Sequence, residues 1–235
     1  MNISVKLAVI FCISIRSAFG HGYMYSPINR ASRWRLEPTN WNITHNYEDN
    51  QYFCGGFAVQ YSENEGKCGP CGDDWSDPVP RSKENGGTYG NGVVVASYLS
   101  GSLIKTDIRI QPIIEGIFPI NTLVRLCVLN DTLLPETEDC FQPVRLLDGS
   151  FFQKISSEDY NVTSYIKLPL WLTCDRCVLR WHYSTGNNWG VCDNGTSALG
   201  CGPQKTFRSC ADIAIIQPTW WRRFNFLNNY FAKII

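Results

Sequence analysis

The stretch Cys177-Val178-Leu179-Arg180-Trp181-His182-Tyr183 alternates in polarity with a period of two. In an extended strand successive side chains point to opposite faces, so Leu179, Trp181 and Tyr183 share one face and Arg180 and His182 the other. His182 is therefore expected to be an exposed or edge histidine. The same signal recurs outward along the chain. Val93 to Tyr98, Lys105 to Ile110, Thr122 to Val128, Tyr165 to Pro169 and Ala211 to Ile216 are rich in β-branched residues or alternate in the same way. Between them lie loops and almost no amphipathic helix. This pattern predicts an all-β fold, a disulfide-rich antiparallel β-sandwich of the immunoglobulin or fibronectin kind, with long loops and short helical turns. His21 to about Asp74 is rich in Gly, Asn, Pro and aromatics; there we expect loops, short helical turns and an early strand, with Asn50 to Phe57 packed on the core through a disulfide. Asp73 to Gly92 reads as turns, from Asp77-Pro78, Asn85-Gly86-Gly87 and Asn91-Gly92.

The first residues read as a secretory signal: a basic start at Met1 to Lys6, an apolar run from Leu7 to Ile15, and the small-x-small pattern Ala18-Phe19-Gly20. We therefore expect 1–20 to be removed, 21–218 to form the domain, and the protein to be secreted and extracellular. Taking Lys6 and Arg16 from 21 Lys and Arg leaves 19, against 21 Asp and Glu, a balance that argues against nucleic acid as partner. Cleavage would make His21 the terminus, where the free α-amine and the imidazole offer one metal two neutral nitrogens, a pair suited to copper. The acceptors Asn42, Asn130, Asn161 and Asn194, each in Asn-x-Ser/Thr, are expected to be glycosylated on surface loops.

Ten cysteines follow the signal: Cys54, Cys68, Cys71, Cys127, Cys140, Cys174, Cys177, Cys192, Cys201 and Cys210. An even count in an exported chain predicts five disulfides, with the pairing left open. The two Cys-x-x-Cys runs also fit a zinc site, and Cys68-Gly-Pro-Cys71 alone fits a thioredoxin-like motif, although no βαβ pattern surrounds it. In the last stretch, 219–235, Trp220, Phe224, Leu227, Phe231 and Ile235 recur at helical spacing with Arg222, Arg223 and Lys233 elsewhere. This basic-aromatic tail is too short and charged to span a bilayer; it either contacts a membrane surface, folds onto the domain or stays unstructured. The chain is expected to be a monomer.

Several segments resemble one family in order: His21-Gly22, Tyr52-Phe53-Cys54-Gly55-Gly56, Cys68-Gly69-Pro70-Cys71-Gly72-Asp73, Gly86-Gly87-Thr88-Tyr89, Cys174-Asp175-Arg176-Cys177, Trp181 through Gly190, Gly200-Cys201-Gly202 and Thr206 through Asp212. The set is similar to the lytic polysaccharide monooxygenases of auxiliary activity family fifteen, relatives of the chitin-binding type-4 domains. The resemblance implies a flat face on which chitin or cellulose is cut oxidatively at one copper ion. It also implies a histidine brace: the terminal histidine, a second histidine on a loop, and an axial aromatic. His21 matches the terminal ligand and Phe207 the axial aromatic. At the second histidine the alignment places Ile114, within Ile110-Gln111-Pro112-Ile113-Ile114-Glu115-Gly116.

Three readings of function follow. One is a polysaccharide-binding domain, with chitin as the leading substrate, whose copper chemistry is impaired or lost. A second is an active copper monooxygenase with its brace rebuilt from His45, His182, Glu115 or a partner. A third is a structural or interaction protein that binds no glycan. Tyr23, Tyr25, Trp34, Trp75 and Trp189 are the candidates for stacking on sugar rings, unless they serve the core instead.

Overall fold

A computed structural model describes residues 21–111, 120–156 and 159–218. The signal at 1–20, Ile114 and Glu115, and the tail at 219–235 lie outside the described residues. Two sheets face each other. The smaller holds β1 (His21–Ser26), β3 (Leu103–Gln111) and β7 (Asn161–Lys167) in the order β1-β3-β7. The larger runs β2 (Ala96–Leu99), β11 (Thr206–Ile216), β8 (Cys174–Ser184), β4 (Ile120–Val128) and β5 (Gln142–Pro143), with β6 (Gln153–Ile155) also on β4. Pairing is antiparallel throughout except for β2 on β11. A hairpin of β9 (Trp189–Val191) and β10 (Ser197–Leu199) stands apart. The sandwich expected from the alternation is therefore present.

Leu179, Trp181 and Tyr183 do point inward, meeting Met24, Ile108 and Ile166 in one core with Phe207 and Ile213. Met24 of β1 donates its N–H to the Ser209 hydroxyl of β11 at 3.1 Å, which ties the two sheets directly. Gly22 is required here: a Cβ at that position would come within 2.8 Å of the Trp181 ring. The expectation for His182 needs correction, because β8 lies between β11 and β4 and is not an edge. Alternation assigns a side chain to a face, but it carries no information on strand order.

All ten cysteines pair: Cys54–Cys68, Cys71–Cys210, Cys127–Cys140, Cys174–Cys177 and Cys192–Cys201. The zinc and thioredoxin-like readings fail at this point. Cys68 and Cys71 bond to different partners, and Cys174 and Cys177 close on each other. Asn50 to Phe57 is tethered through Cys54, as expected, and Phe53 packs against the core.

Cys71–Cys210 spans 139 residues and joins the long 27–95 excursion to the middle of β11, whereas Cys192–Cys201 spans 9. By loop-closure entropy the first contributes about 5 kcal/mol and the second about 2.5 kcal/mol. We expect the Cys71→Ser/Cys210→Ser double variant to lose roughly twice the stability of Cys192→Ser/Cys201→Ser in guanidinium unfolding. Equal losses would contradict this assignment.

Candidate metal centre and polysaccharide face

β1 begins, β3 ends, β4 begins, β8 ends and β11 begins at one pole of the sandwich. The register shows this directly: His21 pairs with Gln111, and Ser184 pairs with both Asn121 and Thr206. His21 sits on this pole, half-buried, at a hollow of about 30 Å³ lined with Gly22, Tyr23, Asn50 and Arg109. The Asn50 carbonyl accepts the Gly22 N–H at 3.0 Å and so holds the start of β1 in place. Burial, and then the positive charge of Lys205, lower the His21 pKa below the usual imidazole value. A neutral imidazole is the form that can donate a lone pair to a metal.

Beneath His21-Gly22 runs a column of rings. Trp181 stacks on Tyr183 at 5.6 Å, Tyr183 lies 5.8 Å from Phe207, and Phe207 lies 5.9 Å from Phe53. The Lys205 ammonium caps the column 5.1 Å from the Phe53 ring centre. Phe207 is thus fully buried within the column.

The other two histidines are engaged elsewhere. His45 lies between two indoles, its ring stacked on Trp34 at 4.8 Å and on Trp41 at 4.5 Å. His182 lies on the outer face of the large sheet, opposite the core that β1 covers. There it pairs in register with Arg208 and Leu123, and the cations of Arg208, Arg180 and Arg125 surround it. A single carboxylate, Glu138, accepts from Arg180 at 2.7 and 2.9 Å and from Arg208 at 2.9 Å. Among the described residues, Cys71, Glu136 and Cys210 do bring three metal-ligand types within 4.8 Å of one another. The two sulfurs are bonded to each other, however, so this is a disulfide against a carboxylate and has no thiolate to offer.

The aromatic candidates divide. Tyr23 and Tyr25 meet edge to face at 6.4 Å on β1, with Tyr25 exposed. The Arg35 guanidinium lies over both Tyr23, at 5.9 Å, and Trp34, at 4.7 Å, and is held by Asp49. Trp34 therefore has one face on Arg35 and another on His45, and it supports the surface from below. The most exposed rings of this patch are Trp41 and Tyr47, 76% and 70% exposed, which are not among the candidates drawn from the sequence. The signal for Tyr47 was its closeness to His45, and for Trp41 its place beside the acceptor Asn42. Trp189 is 70% exposed on β9, which follows the end of β8 at the His21 pole. Gly190 allows that hairpin to form, since a Cβ there would strike the Cys201 carbonyl at 2.1 Å. Trp75 stands apart, with the Arg81 guanidinium 4.6 Å over its ring.

The surroundings of His182 produce a pH dependence. Burial, followed by the charges of Arg208, Arg180 and Arg125, holds its pKa well below the usual value, whereas unfolding restores it to about 6.5. Below that pH the unfolded chain takes up a proton that the folded chain refuses. The contribution of this group is therefore complete above the unfolded pKa and is lost as pH drops below 6.5, with a slope that rises to at most about 1.4 kcal/mol per pH unit. We expect His182→Gln to flatten that slope in urea unfolding; an unchanged slope would show that His182 titrates normally.

Comparison with known proteins accords with this geometry. Residues 21–213 match the family described as lytic polysaccharide mono-oxygenase, cellulose-degrading. The chain is 43% identical to a lytic polysaccharide monooxygenase of family AA15 from Thermobia domestica, solved in the Cu(I) state, with a TM-score of 0.74 over 83% of this chain and 98% of that one. A chitin-binding domain from Burkholderia pseudomallei is similar over 84% of this chain and all of its own, at 10% identity and a TM-score of 0.43. No curated relative matches the chain. With the family model matched over 21–213, the 43% identity and the shared sandwich in agreement, the chain belongs to the lytic polysaccharide monooxygenases of auxiliary activity family fifteen.

Proposed function

We propose that the protein is exported, cleaved before His21, and binds crystalline polysaccharide, chitin in preference to cellulose, as a monomer whose copper-dependent oxidation is impaired or lost. The observation that carries this reading is the disposition of the three histidines. A brace needs two imidazoles and an amine. His21 supplies one imidazole and, once cleaved, the amine. His45 is stacked between Trp34 and Trp41, and His182 lies across the large sheet among three guanidinium cations, a field that repels a metal ion. Residues 112–119, which lie between β3 and β4 in the sequence, contain no histidine. The donor set is thus one imidazole short of the brace, and we derive no oxidative step through copper. Phe207, buried between Tyr183 and Phe53, would be the aromatic neighbour of a copper ion held at His21.

The polysaccharide face runs from Tyr23 and Tyr25 across Arg35 to Trp41 and Tyr47, with Trp189 on the same pole. Ring faces of this kind stack on the apolar faces of sugars, and the buried partners of Trp34 and Arg35 fix their angle in advance. Asn42, Asn130 and Asn194 are exposed in loops, while Asn161 is exposed at the first position of strand β7 and not on a loop; this exposure supports export and glycosylation. The likeness to chitin-binding type-4 domains favours chitin.

Two measurements test the reading. Calorimetric titration of the processed, metal-free protein with copper(II) is expected to give binding at least about a hundredfold weaker than that of the Ile114→His variant, since a first ligand matters more than its outer supports. Equal affinities would contradict the ligand loss. In pull-down on chitin and on cellulose, the protein is expected in the chitin pellet. Trp41→Ala with Tyr47→Ala should weaken that binding by roughly tenfold, about 1.4 kcal/mol. A protein that stays in the supernatant with both polymers would instead be a structural or interaction protein.

A further inference from the structure

The pole opposite His21 carries apolar surface beside the point where the chain leaves the domain. β11 ends at Ile216 next to Leu99, and the Ile216 carbonyl accepts the Ser100 N–H at 2.9 Å. One residue on, Gly101 donates to the Pro169 carbonyl at 3.2 Å, and Leu168 donates to the Ser102 carbonyl at 2.9 Å. The Lys167 N–H in turn reaches the Arg145 carbonyl at 2.9 Å. These contacts lead from the exit point at Pro218 straight to a groove of about 380 Å³ lined by Val144, Arg145, Phe151, Leu168, Pro169 and Leu170. Around it Leu99, Ile216, Leu170 and Trp171 are 47%, 48%, 63% and 59% exposed. Apolar side chains this exposed and this close together mark a contact surface.

The segment that follows Pro218 has matching chemistry. Trp220, Phe224, Leu227, Phe231 and Ile235 recur three or four residues apart, the spacing of one helical face, while Arg222, Arg223 and Lys233 fall off that stripe. A helix of this length would reach about 25 Å, enough to cross the pole from Ile216. We propose that residues 219–235 fold back onto this pole and seat Trp220, Phe224 and Leu227 in the groove between Val144-Arg145 and Leu168-Pro169-Leu170. The rim charges of the groove, Arg145 and Lys167, have the same sign as the tail's, so the contact is held by apolar burial. The Arg145 guanidinium is already placed 4.3 Å over Phe151. The seat lies at the far end of the strands from His21, so it leaves the polysaccharide face open and does not depend on the copper reading.

Hydrogen exchange by mass spectrometry on the full chain and on a chain ending at Pro218 tests this. In the full chain, peptides covering 99–102 and 167–171 are expected to exchange about tenfold more slowly, independently of protein concentration. Phe224→Asp, and separately Leu170→Asp, should abolish that difference while chitin pull-down stays unchanged. Identical exchange in the two chains would overturn the proposal. So would protection that grows with protein concentration, which assigns the groove to a second copy. Capture of the tail by phosphatidylserine vesicles with no effect on domain exchange would likewise overturn it and assign the stripe to membrane.

Discussion

The buried guanidinium of Arg30 ties three distant segments of this molecule together. It donates to both oxygens of Asp212 at 2.8 Å, to Glu136 at 2.6 Å and to the Lys83 carbonyl at 2.8 Å. Removing such a charge from water is costly unless every partner is in place, so the three segments it touches cannot drift apart independently. One of them is the middle of β11, where Cys210 bonds Cys71 two residues before Asp212. Arg30 also opens the short helical turn Arg30–Leu36, capped by the Asn29 side chain, and that turn carries Trp34 and Arg35. The turn that brings Trp34 against His45 and Arg35 over Tyr23 is therefore anchored at its first residue by a buried ion cluster.

The central strand β8 divides the chemistry. Its inner face supplies Trp181 and Tyr183 to the ring column under His21-Gly22, so the His21 pole stands on a buried aromatic base. Its outer face puts Arg180 and His182 among cations that share Glu138. Burial alone would raise the Glu138 carboxyl, but hydrogen bonds from Arg180 and the charges of Arg208 and Arg180 outweigh this and hold it below the usual carboxylate value. That surplus of positive charge serves packing and is unsuited to a cation site. The fold thus leaves the His21 imidazole at the pole while it commits the other two imidazoles to stacking and to the sheet.

The long strands could be read directly from the sequence, because Lys105 to Ile110, Thr122 to Val128 and Cys177 to Tyr183 alternate for long enough to show a period. β5, β6, β9 and β10, at two or three residues each, offer no period to read. At the candidate site, the motif order singles out His21, and the structure puts it where β1 begins, at the start of the matched family segment. The aromatic patch was only half legible. Trp34 packs against Arg35 and His45 and is partly exposed, whereas Trp41 and Tyr47 nearby are the more exposed rings. Exposure of an aromatic in an irregular loop is set by long-range contacts, here His45 and Arg35, which leave no local pattern. The disulfide pairing was hidden for the same reason, since Cys71 and Cys210 meet only after the sandwich closes.

The central claim is that His21 is the sole imidazole at this pole. It is tested most directly by electron paramagnetic resonance of the processed protein loaded with one equivalent of copper(II), with the nitrogen couplings resolved by isotope labelling of histidine. The account predicts coupling to one imidazole and the terminal amine only. Resolved coupling to a second imidazole would contradict it.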